Sequence, residues 1–271
     1  FFITSGYFYY RKLSSNQDTK IYILKLIKIF LIFEAIEILL YTPFQLSSLH
    51  GFGLVTYLWS IISVGLGGAY WYLISTIISL LILTPLWKKK RILPLLITGL
   101  CLYLVVFTND SYSMIFNETP IQEIAKIHTY IWRWPQAGLC SSLFYLSLGA
   151  YLYEKKPIIK HLKLLLVFFI MLLVIESYLL QTHGASDANC YLSLIIFTPL
   201  LFIFLLEHPI NIKFEYFGKM SLYIYMIHPI MLQVIGFIFP FLWSNNELRF
   251  LICAILTVGL SYLLSKKVKA L

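Results

Sequence analysis

Long apolar runs alternate with short polar breaks along this chain, and many runs approach the roughly 20 residues that cross a bilayer as a helix. They fall near 21–41, 70–87, 92–107, 134–153, 163–180, 190–206, 219–241 and 249–265. A transmembrane barrel would show alternating segments of about 10 residues instead. The pattern predicts an all-α, polytopic transmembrane helix bundle with eight full spans. A further apolar piece, LVTYLWSIISVGLGG at 54–68, is short and glycine-rich and reads as an interfacial or re-entrant segment on the outer side. The opening FFITSGYFYY is about half a span long, so residues 1–10 are expected to be the cytoplasmic half of a helix that begins before Phe1. A cleaved signal peptide would leave a polar mature start. With no second soluble domain, internal repeat or matched pair of broken helices, residues 1–271 read as a single, N-terminally truncated membrane domain.

Composition agrees: 60% apolar residues, 12% charged and a mean hydropathy of +0.82 exclude a soluble globular domain, where about 25% charged is usual. A net charge of +9 would also suit nucleic acid, but the 21 Lys and Arg lie in short clusters between apolar runs, where the lipid bilayer is the partner that explains them. If 54–68 stays outside, 18 of the 21 share one side: Arg11, Lys12, Lys20, Lys25, Lys28, the run Lys88 to Arg91, Lys155, Lys156, Lys160, Lys163, Lys213, Lys219, Lys266, Lys267 and Lys269. Lys126, Arg133 and Arg249 remain outside. Excess positive charge marks the cytoplasm, which predicts a multi-pass protein of the cell membrane with basic loops inside. The polar stretch 108–131, with Asp110, Glu118, Glu123 and His128, then faces out, and a cysteine placed at Ser111 is expected to meet an impermeant thiol reagent. Trp59, Trp71, Trp132, Trp134 and Trp243 at outer ends and Trp87 at an inner end fit an aromatic belt. Cys101, Cys140, Cys190 and Cys253 have no paired spacing and suggest neither a metal site nor a disulfide framework.

Titratable groups inside apolar helices cost several kcal/mol unless paired or hydrated, so each is a functional candidate. Lys25 and Lys28 share a helical face near the cytoplasmic boundary, where they either snorkel to headgroups or attract an anionic substrate. Glu34 and Glu37 approach one face of the same helix in the outer half of the bilayer, with Tyr41 beyond them. They could form a structural pair with Arg133 or Lys126, or line an outer site, and Glu176 adds a carboxylate at similar depth. Ser221, Tyr225 and His228 recur at spacings of four and three and form one stripe, either a packed polar seam or the lining of a channel or acyl-donor pocket. Pro229 behind them frees a carbonyl that needs a partner. Arg133, between two tryptophans, is an interfacial anchor or a contact to a polar, sugar-like acceptor.

Four segments, in order, resemble the acyltransferase-3 family of integral membrane O-acyltransferases. FFITSGYF with a basic pair in the next helix is similar to the family's FF-x-x-SG-F/Y and R-x-x-R. GAYWYLISTIISLLI is similar to its W-F/Y-L helix start, and WRWPQAGLCSSLFYLSLGAYLYEKK to its helix closing on Gly-Ala and basic residues. GKMSLYIYMIHPIML resembles its final G-x-x-S-x-x-x-Y-x-x-H-P.

The resemblance implies a bundle of about ten helices that uses acyl-CoA as co-substrate, with no bound cofactor, and acylates a hydroxyl on an extracytoplasmic saccharide or glycan. Lys25 and Lys28 fall on the basic pair that contacts the donor, Ser5 and Gly6 on the SG turn, and His228 on the late histidine. Lysines replace the usual arginines and offer phosphate a point charge instead of a bidentate fork. The family's principal histidine precedes FF-x-x-SG, so the expected general base lies upstream of Phe1.

The reading is an O-acyltransferase that moves acetyl from acetyl-CoA, with Ser5, Gly6, Lys25, Lys28, Ser221, Tyr225 and His228 as donor or tunnel residues and Glu34, Glu37, Trp71 and Arg133 on the acceptor side. The acceptor oxygen must lose a proton as it attacks the thioester, which demands a positioned base in a dry site. The rivals are a transporter or exporter of a small polar solute, working through Glu34, Glu37 and Arg133, and a membrane domain linked to a racemase or hydrolase.

Overall fold

The computed structural model describes residues 1–45, 52–185, 189–209, 215–241 and 245–267. Every regular element among them is a helix: α1 (Phe2–Ser14), α2 (Lys20–Gln45), α3 (Phe52–Ser63), α4 (Trp71–Lys88), α5 (Ile92–Phe107), α6 (Pro120–Trp132), α7 (Leu139–Lys155), α8 (Leu162–Thr182), α9 (Leu192–Glu207), α10 (Glu215–Ile238) and α11 (Asn246–Lys267). Helices stand at all eight positions where the apolar runs predict spans. Among the described residues four segments are long and apolar enough to cross a membrane: Trp71–Lys88, Leu162–Thr182, Met220–Ile238 and Asn246–Lys266. The 16-residue α5 and α9 are short for a crossing, while α2 carries Lys25, Lys28, Glu34 and Glu37 within its 26 residues. The apolar piece at 54–68 becomes the 12-residue α3 followed by a turn.

The chain forms two compact units, Phe1–Leu24 with Trp71–Pro209, and Lys25–Tyr70 with Ile210–Leu271. In the first unit glycine decides how closely helices approach. A Cβ on Gly6 of α1 would lie 2.2 Å from the Leu146 carbonyl oxygen of α7, and one on Gly149 of α7 would lie 2.2 Å from the Ile3 carbonyl oxygen of α1. Small residues let the two backbones touch, the usual device for helix contact in lipid. Gly6 and Ser5 therefore do not form the expected turn; they lie inside α1, and the glycine is there for clearance. Behind this contact Ile3, Leu152, Leu162, Leu200 and Ile203 form a buried cluster. Trp87, expected at the headgroups, is 1% exposed, with its indole edge against Tyr10 at a centroid distance of 5.7 Å. Its ring is covered by Tyr9 and Tyr10 of α1, at centroid distances of 6.2 and 5.7 Å.

The stretch 108–131 is built, not loose. Thr119 caps α6 by accepting the Gln122 N–H, and Pro120 occupies the first turn, where its missing N–H costs nothing. Asp110 Oδ2 accepts the N–H groups of Cys190 at 2.6 Å and Asn189 at 2.9 Å. Ser111, which bonds to the same carboxylate, is 2% exposed, so the side chain expected to meet an aqueous reagent is buried. Glu176 of α8 accepts from Leu192 N at 2.6 Å and Ser193 N at 2.9 Å, and so caps α9; the Tyr112 hydroxyl also donates to it. Burial and that carboxylate push the Tyr112 phenol up.

In the second unit Ile235 of α10 and Cys253 of α11 are buried together with Met231, Leu232 and Ile252 around them. Trp243, Lys213 and Lys269 lie outside the described residues, as do the side chains of Tyr41, Lys219 and Lys267.

Candidate functional site

The first unit brings three of the four motif segments together. The aromatic start of α1 meets the start of α4: Phe2 lies edge-on to Trp71 at 6.1 Å and beside Tyr72 at 4.6 Å between ring centroids. The hydroxyls of Ser5 and Tyr72 share a hydrogen bond of 2.8 Å, and one turn on, Tyr9 and Thr84 share another of 2.8 Å. Glycine contacts then pin α7 to the opposite side of α1. Beside this seam opens a cavity of about 180 Å³ lined by Thr4, Ser5, Phe8, Tyr9, Lys12 and Tyr22. The Lys12 ammonium stands 5.7 Å from the Tyr22 ring centroid. A cation, hydroxyls and aromatic rings around one small space suit an anionic group with an apolar neighbour. Of the residues singled out for the donor, Ser5 lines this space, whereas Gly6 packs on α7.

Lys25 and Lys28 belong to the second unit and are both exposed on α2, as snorkelling side chains are. Further along the same helix Glu34 and Glu37 turn inward. Glu34 accepts the Leu66 N–H and Glu37 the Gly67 N–H, each at 2.8 Å, so the carboxyls hold the turn between α3 and α4. Gly65 makes the turn possible with a φ of +80°. The partners are backbone groups, not the Lys126 considered from sequence, whose ammonium pairs with Glu123 at 2.6 Å on its own helix. Arg133 ends α6 in the left-handed region at φ 64°. The next span begins late, at Leu139, because Pro135 and Gly138 keep 133–138 in turns; Gly138 N donates to Ser75 Oγ at 2.7 Å. Glu176 is engaged as the cap of α9 in the first unit.

The α10 stripe is held by the same turn. Tyr225 donates to the Ala69 carbonyl at 2.5 Å, and Tyr70 donates to the Met226 carbonyl at 2.9 Å, in the turn of α10 that Pro229 opens. Tyr70 thus bonds the carbonyl next to that of Tyr225, which is the one Pro229 deprives of its helical N–H. His228 Nδ1 lies 3.2 Å from the Ile224 carbonyl of its own helix, and the Cys253 thiol points at the His228 carbonyl at 3.6 Å. Ser221 is exposed, so the stripe does not continue as a common lining. Sequence reasoning missed Tyr70, the Leu66 and Gly67 amides, and the cavity residues Lys12, Tyr9 and Tyr22; the signals available were the GLGGAY run and the tyrosine density of the first helix.

Two curated relatives match almost the whole chain: the amino-acid racemase of Enterococcus faecalis, 28% identical over 97% of this chain and 39% of that protein, and the serine/alanine racemase of Enterococcus gallinarum, 26% identical over 96% of this chain and 38% of that protein. The chain spans about two fifths of the length of these relatives. No solved structure gives a significant match. The acyltransferase domain of the acyltransferase-3 family matches residues 1–266, from the aromatic start of α1 to the end of α11. This all-helical, membrane-spanning chain belongs to the acyltransferase-3 family.

Proposed function

We propose that the chain transfers an acyl group, acetyl in the simplest case, from acyl-CoA to a hydroxyl of a saccharide or cell-envelope glycan at the cell membrane. The observation that carries this reading is that three family segments meet at α1, whose FFITSGYF segment lines the cavity with Thr4, Ser5 and Phe8. Lys12 at its edge would attract the donor's phosphates, and Lys25 and Lys28, exposed in their own unit, remain donor candidates by the family motif. Ser5, Tyr9 and Tyr22 offer hydroxyls to the acyl-bearing arm. The acceptor hydroxyl loses its proton to a general base as its oxygen attacks the thioester carbonyl, and the thiol of coenzyme A leaves with a proton. Trp71 and Arg133, with Glu34 and Glu37 in their own unit, remain the acceptor-side candidates.

Proteoliposomes of the intact protein, given acetyl-CoA labelled in the acetyl group, should release free coenzyme A and pass label to a glycan acceptor. Lys12→Ala should raise the KM for acetyl-CoA several-fold, and raised salt should mimic part of that loss. Absence of both transfer and coenzyme A release overturns the reading. A second reading is favoured by the relatives' names: a membrane domain that moves a small amino acid for a linked racemase. Labelled serine or alanine crossing the same vesicles without coenzyme A would select it.

A further inference from the structure

Glu34 and Glu37 are 2% and 0% exposed, and each gives one oxygen to a single backbone N–H. The other oxygens, Glu34 Oε2 and Glu37 Oε1, are buried with no hydrogen-bond partner. Among the described residues neither carboxyl has a Lys or Arg partner. Two bare carboxylates three residues apart on one helix, away from water, would each carry a desolvation cost of several kcal/mol and repel each other. Tyr70 supplies a separate observation. It is 0% exposed, its hydroxyl lies beside the Glu37 carboxyl, and its single hydrogen is already given to the Met226 carbonyl. Toward Glu37 it can present only a lone pair, which repels an ionised carboxylate and attracts a carboxyl that carries its own hydrogen. Tyr225, the other titratable group coupled to Tyr70, likewise spends its hydrogen on the Ala69 carbonyl. The space is tight: a Cβ at Gly65 would lie 3.0 Å from Glu34 Oε2.

We propose that Glu34 and Glu37 form a proton-binding site inside the second unit, holding at least one proton at neutral pH against the turn of Gly65 to Tyr70. A hydrogen on Glu37 can be donated to the Tyr70 oxygen, and it removes one of the two buried charges. This assignment stands on the second unit alone and does not depend on acyl transfer.

Infrared spectroscopy of the intact protein in lipid vesicles tests it, because an un-ionised carboxyl has a carbonyl stretch apart from the carboxylate and amide bands. We expect that band at neutral pH and its loss in the Glu34→Gln, Glu37→Gln double variant, since glutamine still accepts the Leu66 and Gly67 N–H groups but holds no titrating proton. A spectrum showing only ionised carboxylates, or a band unchanged in the double variant, overturns the proposal. A sodium titration of the wild-type protein covers the case of a variant that does not fold. A band insensitive to sodium supports a proton, and a band abolished by sodium at constant pH means that the site takes a metal cation instead.

Discussion

A single methyl group decides whether α1 and α7 can meet. At Gly149 the added carbon would fall 2.2 Å from a backbone oxygen, which cannot rotate aside. Gly149→Ala should destabilise the folded protein by about 1–3 kcal/mol, the usual scale for overpacking. Gly259→Ala is the control: nothing lies within 4 Å of its new carbon, and helix propensity should make it neutral or slightly stabilising. Thermal unfolding of the purified variants checks both. His128 on α6 acts through the proton it refuses. Both ring nitrogens are buried without a partner, and burial lowers its pKa from 6.5 to about 4. In the unfolded chain it protonates below about pH 6.5, while the folded protein resists until about pH 4, so stability should fall as pH drops through that window. The midpoint of thermal unfolding, followed from pH 7 downward, should decline less in His128→Phe than in the wild-type protein.

The elements themselves were written in the apolar runs, which located eight helices, but their ends and partners were not. α6 escaped notice because its apolar positions recur at helical spacing among charges, so no continuous run marks it; Thr119 and Pro120 were its start signal. Glu176 was legible as a carboxylate in an apolar helix, yet the amides of Leu192 and Ser193 that it caps have no side-chain signature. The same holds for Glu34 and Glu37, whose partners are two amides in a glycine turn. Ser5 and Gly6 were legible as a motif, but only coordinates separate a turn glycine from one kept small for clearance. Removing the α9 cap with Glu176→Ala should cost about 1–2 kcal/mol, and Glu176→Gln should recover only part of it, because glutamine has one acceptor oxygen for the Leu192 and Ser193 N–H groups. Hydrogen exchange at the first turn of α9, faster in the alanine variant, would locate the loss.

For the molecule as a whole, the division of basic residues predicts an orientation, and the buried Ser111 moves its labelling test to a neighbour. In a cysteine-free background Asn117→Cys, at an exposed position, should react with an impermeant thiol reagent in intact cells, and Lys89→Cys should react only after lysis. The opposite result inverts the orientation. The backbone contact of Gly6 with α7 also carries a timetable. Its two halves leave the ribosome roughly 140 residues apart, which at about 5–20 residues per second is on the order of ten seconds. Throughout that interval the nascent α1 lacks the surface its glycine is shaped for, so a chaperone or insertase that shelters it would act during translation rather than after it.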